Sequence, residues 1–340
     1  MNNFIHIVSN MHLKNKILLL LASLLILILS ASIFLENHTT VQKTKKTIYD
    51  GLIFEARQNA DFINAKYFNT VEVISEVIKS MLLTHFNKAE LHNPYYVFKE
   101  FEPEHIMFLS DILRVIPSLH GIAIYFQPSL YHGAVQEIPK VQVHIVDGEI
   151  IAIDKPLSLE TINKNWFKKP FEIHKGVWSK PIILYGEKVL AYSIPVYLME
   201  EPFAIVTLYL GYENIDSFIN RFILRTTGYA YILNEDLVLL SHPHLKYFIN
   251  TKLDVFIPTL MNMPKTNKMY DIVEYEFQNE QKVAVWHKLQ NGDYLVLVGT
   301  TAELLKDIKD ITAMGRIIAI LFVFITLVVI YIVAMAIRMK

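Results

Sequence analysis

The chain has 340 residues and a formal net charge of −1, so no overall field draws it to nucleic acid or to an anionic membrane surface. It has no cysteine, which excludes disulfides, thiolate metal sites and a cysteine nucleophile. The hydrophobic share of 53% exceeds the roughly 45–50% of soluble domains, and the excess sits at the two ends.

Residues 17–35, ILLLLASLLILILSASIFL, carry no charge. As a helix at about 1.5 Å per residue they span about 28 Å, close to the hydrocarbon thickness of a bilayer. Their length exceeds the apolar core of a signal peptide, so they read as an uncleaved anchor. Residues 317–337, IIAILFVFITLVVIYIVAMAI, form a second span. Two spans put residues 1–16 and 338–340 on one side and 36–316 on the other. Lysine and arginine flank both ends of the spans, so charge alone does not orient the chain. An N-terminal anchor exports the segment C-terminal to it, which places the loop outside the cytoplasm. With only three residues after the second span, any output activity is expected to lie outside this sequence.

Between the spans, the pattern is helical from 36 to about 90. Ile48, Leu52, Ile63, Tyr67, Val71, Ile74, Ile78 and Met81 recur at steps of three and four or their multiples, as in a stalk that packs on a domain. EPEHIMFLSDILRVIP (102–117) is a further amphipathic helix. The period then changes. GIAIYF (121–126) reads as a strand, and VQVHIVDGEIIAID (141–154) as a hairpin about Asp147-Gly148. NWFKKPFEIHKGVWSKP (165–181) holds two of the three tryptophans, and its lysines, prolines and glycine read as a loop. KVLAYSIPVYL (188–198) and PFAIVTLYLGY (202–212) are strands, and NIDSFINRFI (214–223) a short helix with Asn214 as its cap. A smaller copy of the pattern comes next. It comprises a hairpin in 228–243, another about Asn279-Glu280, a strand at 292–300 and an exit helix at 301–314 that runs into the second span.

This order of motifs resembles the double Cache (dCache) family of extracytoplasmic sensor domains over roughly residues 36–315. Four motifs carry the likeness: Trp166-Phe167-Lys168-Lys169-Pro170, Trp178-Ser179-Lys180-Pro181, Ser193-Ile194-Pro195-Val196, and the closing strand and helix NGDYLVLVGTTAEL. The resemblance implies an α+β fold, with two stacked PAS-like antiparallel-sheet domains on a long N-terminal helix. The expected divisions are a membrane-distal domain at 91–225, a membrane-proximal domain at 226–300 and an exit helix at 301–316. It further implies that the loop bearing Trp166 and Trp178 is the lid of a ligand pocket, with the strand of Tyr192 as its floor and Tyr125 as a third wall. Aromatic side chains on a loop have few chain neighbours to cover them, which agrees with packing across a cavity.

The chain departs from the amino-acid-binding members. Where they carry an arginine that grips the carboxylate, this chain has Lys164, which lacks the bidentate fork. Where they carry an acidic residue for the amine, the position falls near Tyr209. The expected ligand is therefore a small molecule other than a free α-amino acid, and Lys164 could hold an anion. The remaining loop lysines, Lys168, Lys169, Lys175 and Lys180, read as a solvated face.

Rival chemistry is thin. His242 and His244 share an H-x-H spacing, but Pro243 between them reads as the end of a strand, and His287 is distant in sequence. Glu235-Asp236 reads as turn chemistry. No G-x-S-x-G, H-E-x-x-H or phosphate-cradling glycine loop is present. No catalytic residue, cofactor or metal is expected. The reading is a bacterial inner-membrane sensor, homodimeric through its stalk helices, that passes a ligand signal to a cytoplasmic partner. The alternative is an output-less or truncated binding module that modulates another receptor.

Overall fold

A computed structural model describes residues 12–85, 102–131, 135–245, 249–252 and 268–338. The chain divides into two compact units, one of residues 1–54, 276–283 and 299–340, the other of 55–275 and 284–298.

The first unit is dominated by two long helices. Helix α1 (Leu13–Ile63) contains the first apolar stretch and continues beyond it without a break. The second is α7, Lys306–Arg338, which contains the other. Both are long and apolar enough to cross a membrane. Leu18, Leu21, Phe34, Ile320 and Phe324 are among many large apolar side chains exposed along them, an arrangement that suits lipid and not water. Small polar residues are buried instead: Ser23, Ser30 and Thr326. Ser30 and Thr326 return their hydroxyl hydrogen to a carbonyl of their own helix. Such residues let helix backbones approach closely in lipid. A Cβ on Gly315 would stand 2.0 Å from Asn37 Nδ2, so the α7 backbone and the α1 side chain meet at that level.

The exit segment differs from the expected continuous helix. A single turn, α6 (Thr301–Leu304), ends at Leu305, whose φ of −107° and ψ of 18° leave the helical region. Only from Lys306 is the helix continuous with the span.

In the second unit, a π-turn at Asn64–Phe68 interrupts the long N-terminal helix before α2 (Asn69–His85) resumes. The backbone N–H of Asn69 reaches back to Asn64 O, one residue further than in an α-helix. The extra residue lets Tyr67 and Phe68 both turn inward, at 5% and 1% exposure. The buried stripe in this unit is Ala56, Ala60, Ile63, Tyr67, Val71, Ile78 and Leu82. The two alanines and Leu82 join the stripe that periodicity alone indicates. The expected stalk beyond His85 lies outside the described residues.

Helix α3 (Glu102–Val115) buries Leu109 and Leu113 and packs on β1 and β2. The first sheet has seven strands: β1 (Leu119–Phe126), β2 (Lys140–Val146), β3 (Glu149–Ala152), β4 (Val177–Trp178), β5 (Ile182–Leu184), β6 (Glu187–Leu198) and β7 (Glu201–Gly211). Their order is β3-β2-β1-β7-β6-β4, with β5 also on β6. Asp147 and Gly148 take positive φ at the β2–β3 turn, as the hairpin reading requires. Strands β1, β7 and β6 are almost wholly buried, because both faces are covered. Helix α2 packs on β6 and β7.

Residues 165–181 are not a loop. They form helix α4 (Asn165–Ile173) followed by the two-residue strand β4. Pro170 sits inside this helix, and His174 ends it in the left-handed conformation at φ 55°. The amphipathic order Phe167, Pro170, Phe171 outweighs the cost of the proline, because a nine-residue helix has few internal hydrogen bonds to lose.

Helix α5 (Glu213–Arg221) comes after β7. Asn214 does not cap it. The cap position is Tyr212, without a side-chain bond, and Glu213 and Asp216 complement the helix dipole. The second sheet takes the order β10-β11-β12-β8-β9. Its strands are β8 (Tyr229–Leu233), β9 (Leu239–Ser241), β10 (Tyr270–Phe277), β11 (Glu280–Lys288) and β12 (Tyr294–Thr300). The β10–β11 turn is centred on Gln278 and Asn279, both at positive φ, one residue earlier than expected. In the β8–β9 turn, Asn234 Oδ1 accepts the N–H groups of Asp236 and Val238, the Asx geometry that suits this acidic dipeptide.

Candidate functional site

Strand register assigns to a face the predicted site residues that lie on strands, Tyr125, Trp178, Tyr192 and Tyr209. On β6 and β7, Tyr192 pairs with Leu208, and Ala191 with Tyr209. On β1, Gly121 pairs with Tyr209, and Tyr125 with Ile205. Directly paired residues share a face and neighbours alternate. Tyr125, Ala191, Ile205 and Tyr209 therefore point one way and Tyr192 the other. They pack with Phe167, Trp166 and Phe171 of α4 in one apolar cluster, so α4 covers that face.

On the α4 face the aromatic groups form a chain. The Trp166 ring lies 5.1 Å from Tyr125 in an edge-on contact. The Tyr125 and Tyr209 hydroxyls are 2.9 Å apart. The Tyr209 ring is 4.8 Å from His144, and His144 is 5.1 Å from Tyr185. His144 Nε2 is 2.7 Å from Gln142 Nε2, and both residues are buried. Beside them, the Ser193 and Thr207 hydroxyls are 2.9 Å apart. These polar groups stand in a wall that is otherwise apolar, and each has found a neighbour.

The group is electrically neutral at physiological pH. Burial pushes the His144 imidazole down to about 4, and the nearby Lys140 charge adds to this. Burial pushes the Tyr209 phenol up to about 12 and the Tyr125 phenol well above its ordinary value. The site offers neutral hydroxyl, imidazole and amide groups beside aromatic faces. It has no nucleophile with an adjacent base among these residues.

Lys164 stands at the cap of α4 with its side chain exposed. It is outside the buried cluster. Gln142 and His144 are not singled out by sequence reading. Their signal is the spacing Q-x-H in VQVHIV, two polar residues on one face of an apolar strand.

The other two predicted residues lie on the opposite face. Trp178 pairs with Tyr192, with ring centroids 4.7 Å apart. The Trp178 ring also packs edge-on against Phe68 at 5.0 Å. Its Nε1 donates to Glu72 Oε1 of α2 at 3.0 Å. The second oxygen of Glu72 accepts from Gln290 Nε2 at 2.5 Å, and Gln290 N donates to Asn64 Oδ1 at 3.0 Å. Trp178 is thus a clasp between the first sheet and the long helix. The expectation of one lid carrying both tryptophans over Tyr192 is corrected: the sheet separates them. The reason is that β4 adds Trp178 to the edge of β6 with its ring turned to α2, while Trp166 belongs to α4.

His242 has a structural task. Its Nδ1 accepts the backbone N–H groups of His244 and Leu245, both at 3.0 Å.

Gly121 is required where it stands. A Cβ there would lie 2.2 Å from His144 Nδ1. Gly121→Ala is expected to displace the imidazole, break its contact with Gln142 and cost about 1–3 kcal/mol. A thermal melt of the variant checks this, and an unchanged melting temperature would contradict it.

No protein-family model and no curated protein matches the chain. Solved structures do match. The extracellular domain of a proposed histidine kinase, mmHK1S-Z2, shares 18% identity at a TM-score of 0.64, over 76% of this chain and 99% of that one. Methyl-accepting chemotaxis protein X shares 14% at 0.58, over 75% and 98%. The sensory domain of the Campylobacter jejuni chemoreceptor Tlp3, solved with isoleucine bound, shares 10% at 0.55, over 77% and 97%. At these identities the likeness shows the fold.

Proposed function

We propose that this chain, whose two sheets and long helix have the double Cache fold of extracellular sensor domains, is a membrane-anchored small-molecule sensor. The ligand enters the α4 face of the seven-stranded sheet. Trp166, Tyr125 and Tyr209 supply aromatic walls, and the Tyr209, His144 and Gln142 groups supply hydrogen bonds. Displacing the contacts that these groups make with one another gives the ligand its differential affinity for two states of the site. The cytoplasmic output lies in a partner or in sequence beyond these residues.

The observation that carries this reading is the buried neutral cluster Tyr125–Tyr209–His144–Gln142 against Trp166. It favours an uncharged, planar ligand with one or two hydrogen-bonding groups. It does not favour a free α-amino acid, because the buried cluster offers neither a cation for a carboxylate nor a carboxylate for an amine. Trp178 and Tyr192 serve the reading indirectly, since they fix the sheet to α2.

The test is a thermal melt of the full chain in detergent against planar heterocycles, sugars, carboxylates, amines and amino acids. A ligand at about 100 times its dissociation constant adds about 2.7 kcal/mol. The expected result is a shift with neutral heterocycles that Trp166→Ala and Tyr209→Phe abolish. A shift with amino acids alone, or one that survives both substitutions, would overturn the site.

A further inference from the structure

Away from the sensing face, one group of side chains has the chemistry of a metal site. His120, Glu187 and Glu213 each present a ligand atom, and these atoms all lie within 4.8 Å of one another. They come from β1, from the first residue of β6 and from the first residue of α5. His120 Nε2 is 2.7 Å from Glu213 Oε1.

The backbone is shaped around this group. Leu119 pairs with Leu210 and Gly121 with Tyr209, so the β1–β7 register skips His120. A bulge of this kind turns a side chain out of the strand's alternation. Gly211 lies beneath. A Cβ there would stand 2.4 Å from His120 Nε2 and 2.5 Å from Glu213 Oε1. Glycine alone leaves room for both ligand atoms. His120 Nδ1 is buried without a partner among the described residues, so Nε2 is the nitrogen the ring offers.

The charge is unbalanced. Two carboxylates meet one imidazole, and among the described residues no lysine or arginine pairs with either. Lys188, next in the chain, turns away. Its Nζ lies 3.9 Å over the Tyr212 ring and donates to Leu240 O at 2.7 Å. A divalent cation would bring the group to neutrality.

We propose that His120, Glu187 and Glu213 bind a divalent transition-metal ion of the zinc class. An imidazole beside two carboxylates suits first-row ions of borderline softness, whereas calcium takes about six to eight oxygens. Both glutamates reach solvent, which leaves the remaining coordination position to water. The ion would clip the β1 bulge and the start of β6 to the helix that leaves the first sheet. The three residues are far apart in sequence and have no motif spacing, so only the fold brings them together.

The test uses the full chain in detergent, stripped with a chelator and titrated with Co2+ as a spectroscopic probe. The expected result is a visible absorption band that saturates at one equivalent and is displaced by Zn2+ but not by Ca2+ or Mg2+. Glu187→Gln, on an exposed side chain, is expected to weaken Co2+ binding by about tenfold or more while leaving the helical circular dichroism unchanged. His120→Gln is expected to remove the band. His244→Gln, in the bend that follows β9, is expected to leave it unaltered. No stoichiometric band, or one lost in His244→Gln and kept in Glu187→Gln, would overturn the assignment. The outcome is independent of whether the α4 face binds a ligand.

Discussion

Trp178→Ala is expected to lower the stability of the chain by about 2–4 kcal/mol, whereas Trp166→Ala is expected to cost less and to abolish ligand response. The two side chains differ in what they hold. Trp178 packs on Phe68 and Tyr192 and donates to Glu72, so its loss removes two ring contacts and a hydrogen bond to a carboxylate. It also frees one oxygen of the residue whose other oxygen holds Gln290. Trp178→Phe keeps most of the ring contacts and is expected to lose less than Trp178→Ala, about 1.5–3 kcal/mol, the range of a hydrogen bond with a charged acceptor. Trp166 is partly exposed and meets Tyr125 and Phe167 at its edge. Denaturation of the three variants, read by circular dichroism, checks the order. Equal losses for the two alanine variants would contradict the division of the tryptophans between the faces.

Asp293→Asn is expected to stabilise the chain at pH 8 and to leave it unchanged below pH 4. Asp293 lies in the turn before β12. Burial pushes its carboxyl up to about 7, and the Glu235 charge adds to that. Asn291 Nδ2, which donates to Asp293 Oδ2 at 2.6 Å, opposes the rise, as do the Lys188 and Lys180 charges. Burial wins because the carboxylate has no close cation of its own: Lys180 pairs with Asp236 and Lys188 with the Leu240 carbonyl. The folded state therefore holds a proton that the unfolded state releases near its ordinary value of 3.8. Stability from this group is fully present below about pH 4 and is lost as pH rises through about 7. At about 1.4 kcal/mol per pKa unit the loss is at most about 4 kcal/mol. Asparagine keeps the shape without the charge, so the difference between variant and wild type should open between pH 4 and pH 7 and stay level above it. A difference that is flat across this range would contradict the burial of the charge.

Much of the architecture is legible in the sequence because it is written in periods. Steps of three and four mark the long helix, and alternation with Asp147-Gly148 marks the β2–β3 hairpin. The two apolar helices are legible from the length and lack of charge of their apolar runs. The features that escape depend on contacts that sequence does not order. The π-turn adds one residue to a helix, and no local signal in NAKYF distinguishes it. Helix α4 escapes because Pro170 and Gly176 resemble loop composition, while its apolar face is explained only by the sheet beneath it. The two faces of the sheet escape because β4 is two residues long, and parity can be assigned only after its pairing with Tyr192 and Ser193 is known. Trp166, Tyr125 and Tyr209, which the resemblance points to, do meet on one face. Trp178 and Tyr192, which it groups with them, meet each other on the opposite one.

The most direct measurement labels the three tryptophans with fluorine and tracks them by NMR in the full chain. Substituting Trp166, Trp178 and Trp286 by phenylalanine in turn assigns the three resonances. On addition of the neutral heterocycle that raises the melting point, the account predicts a large shift of the Trp166 resonance and a smaller one at Trp178. Trp286, buried in the second sheet, should not move. A shift confined to Trp178, with Trp166 unmoved, would place the ligand on the α2 face and contradict the site.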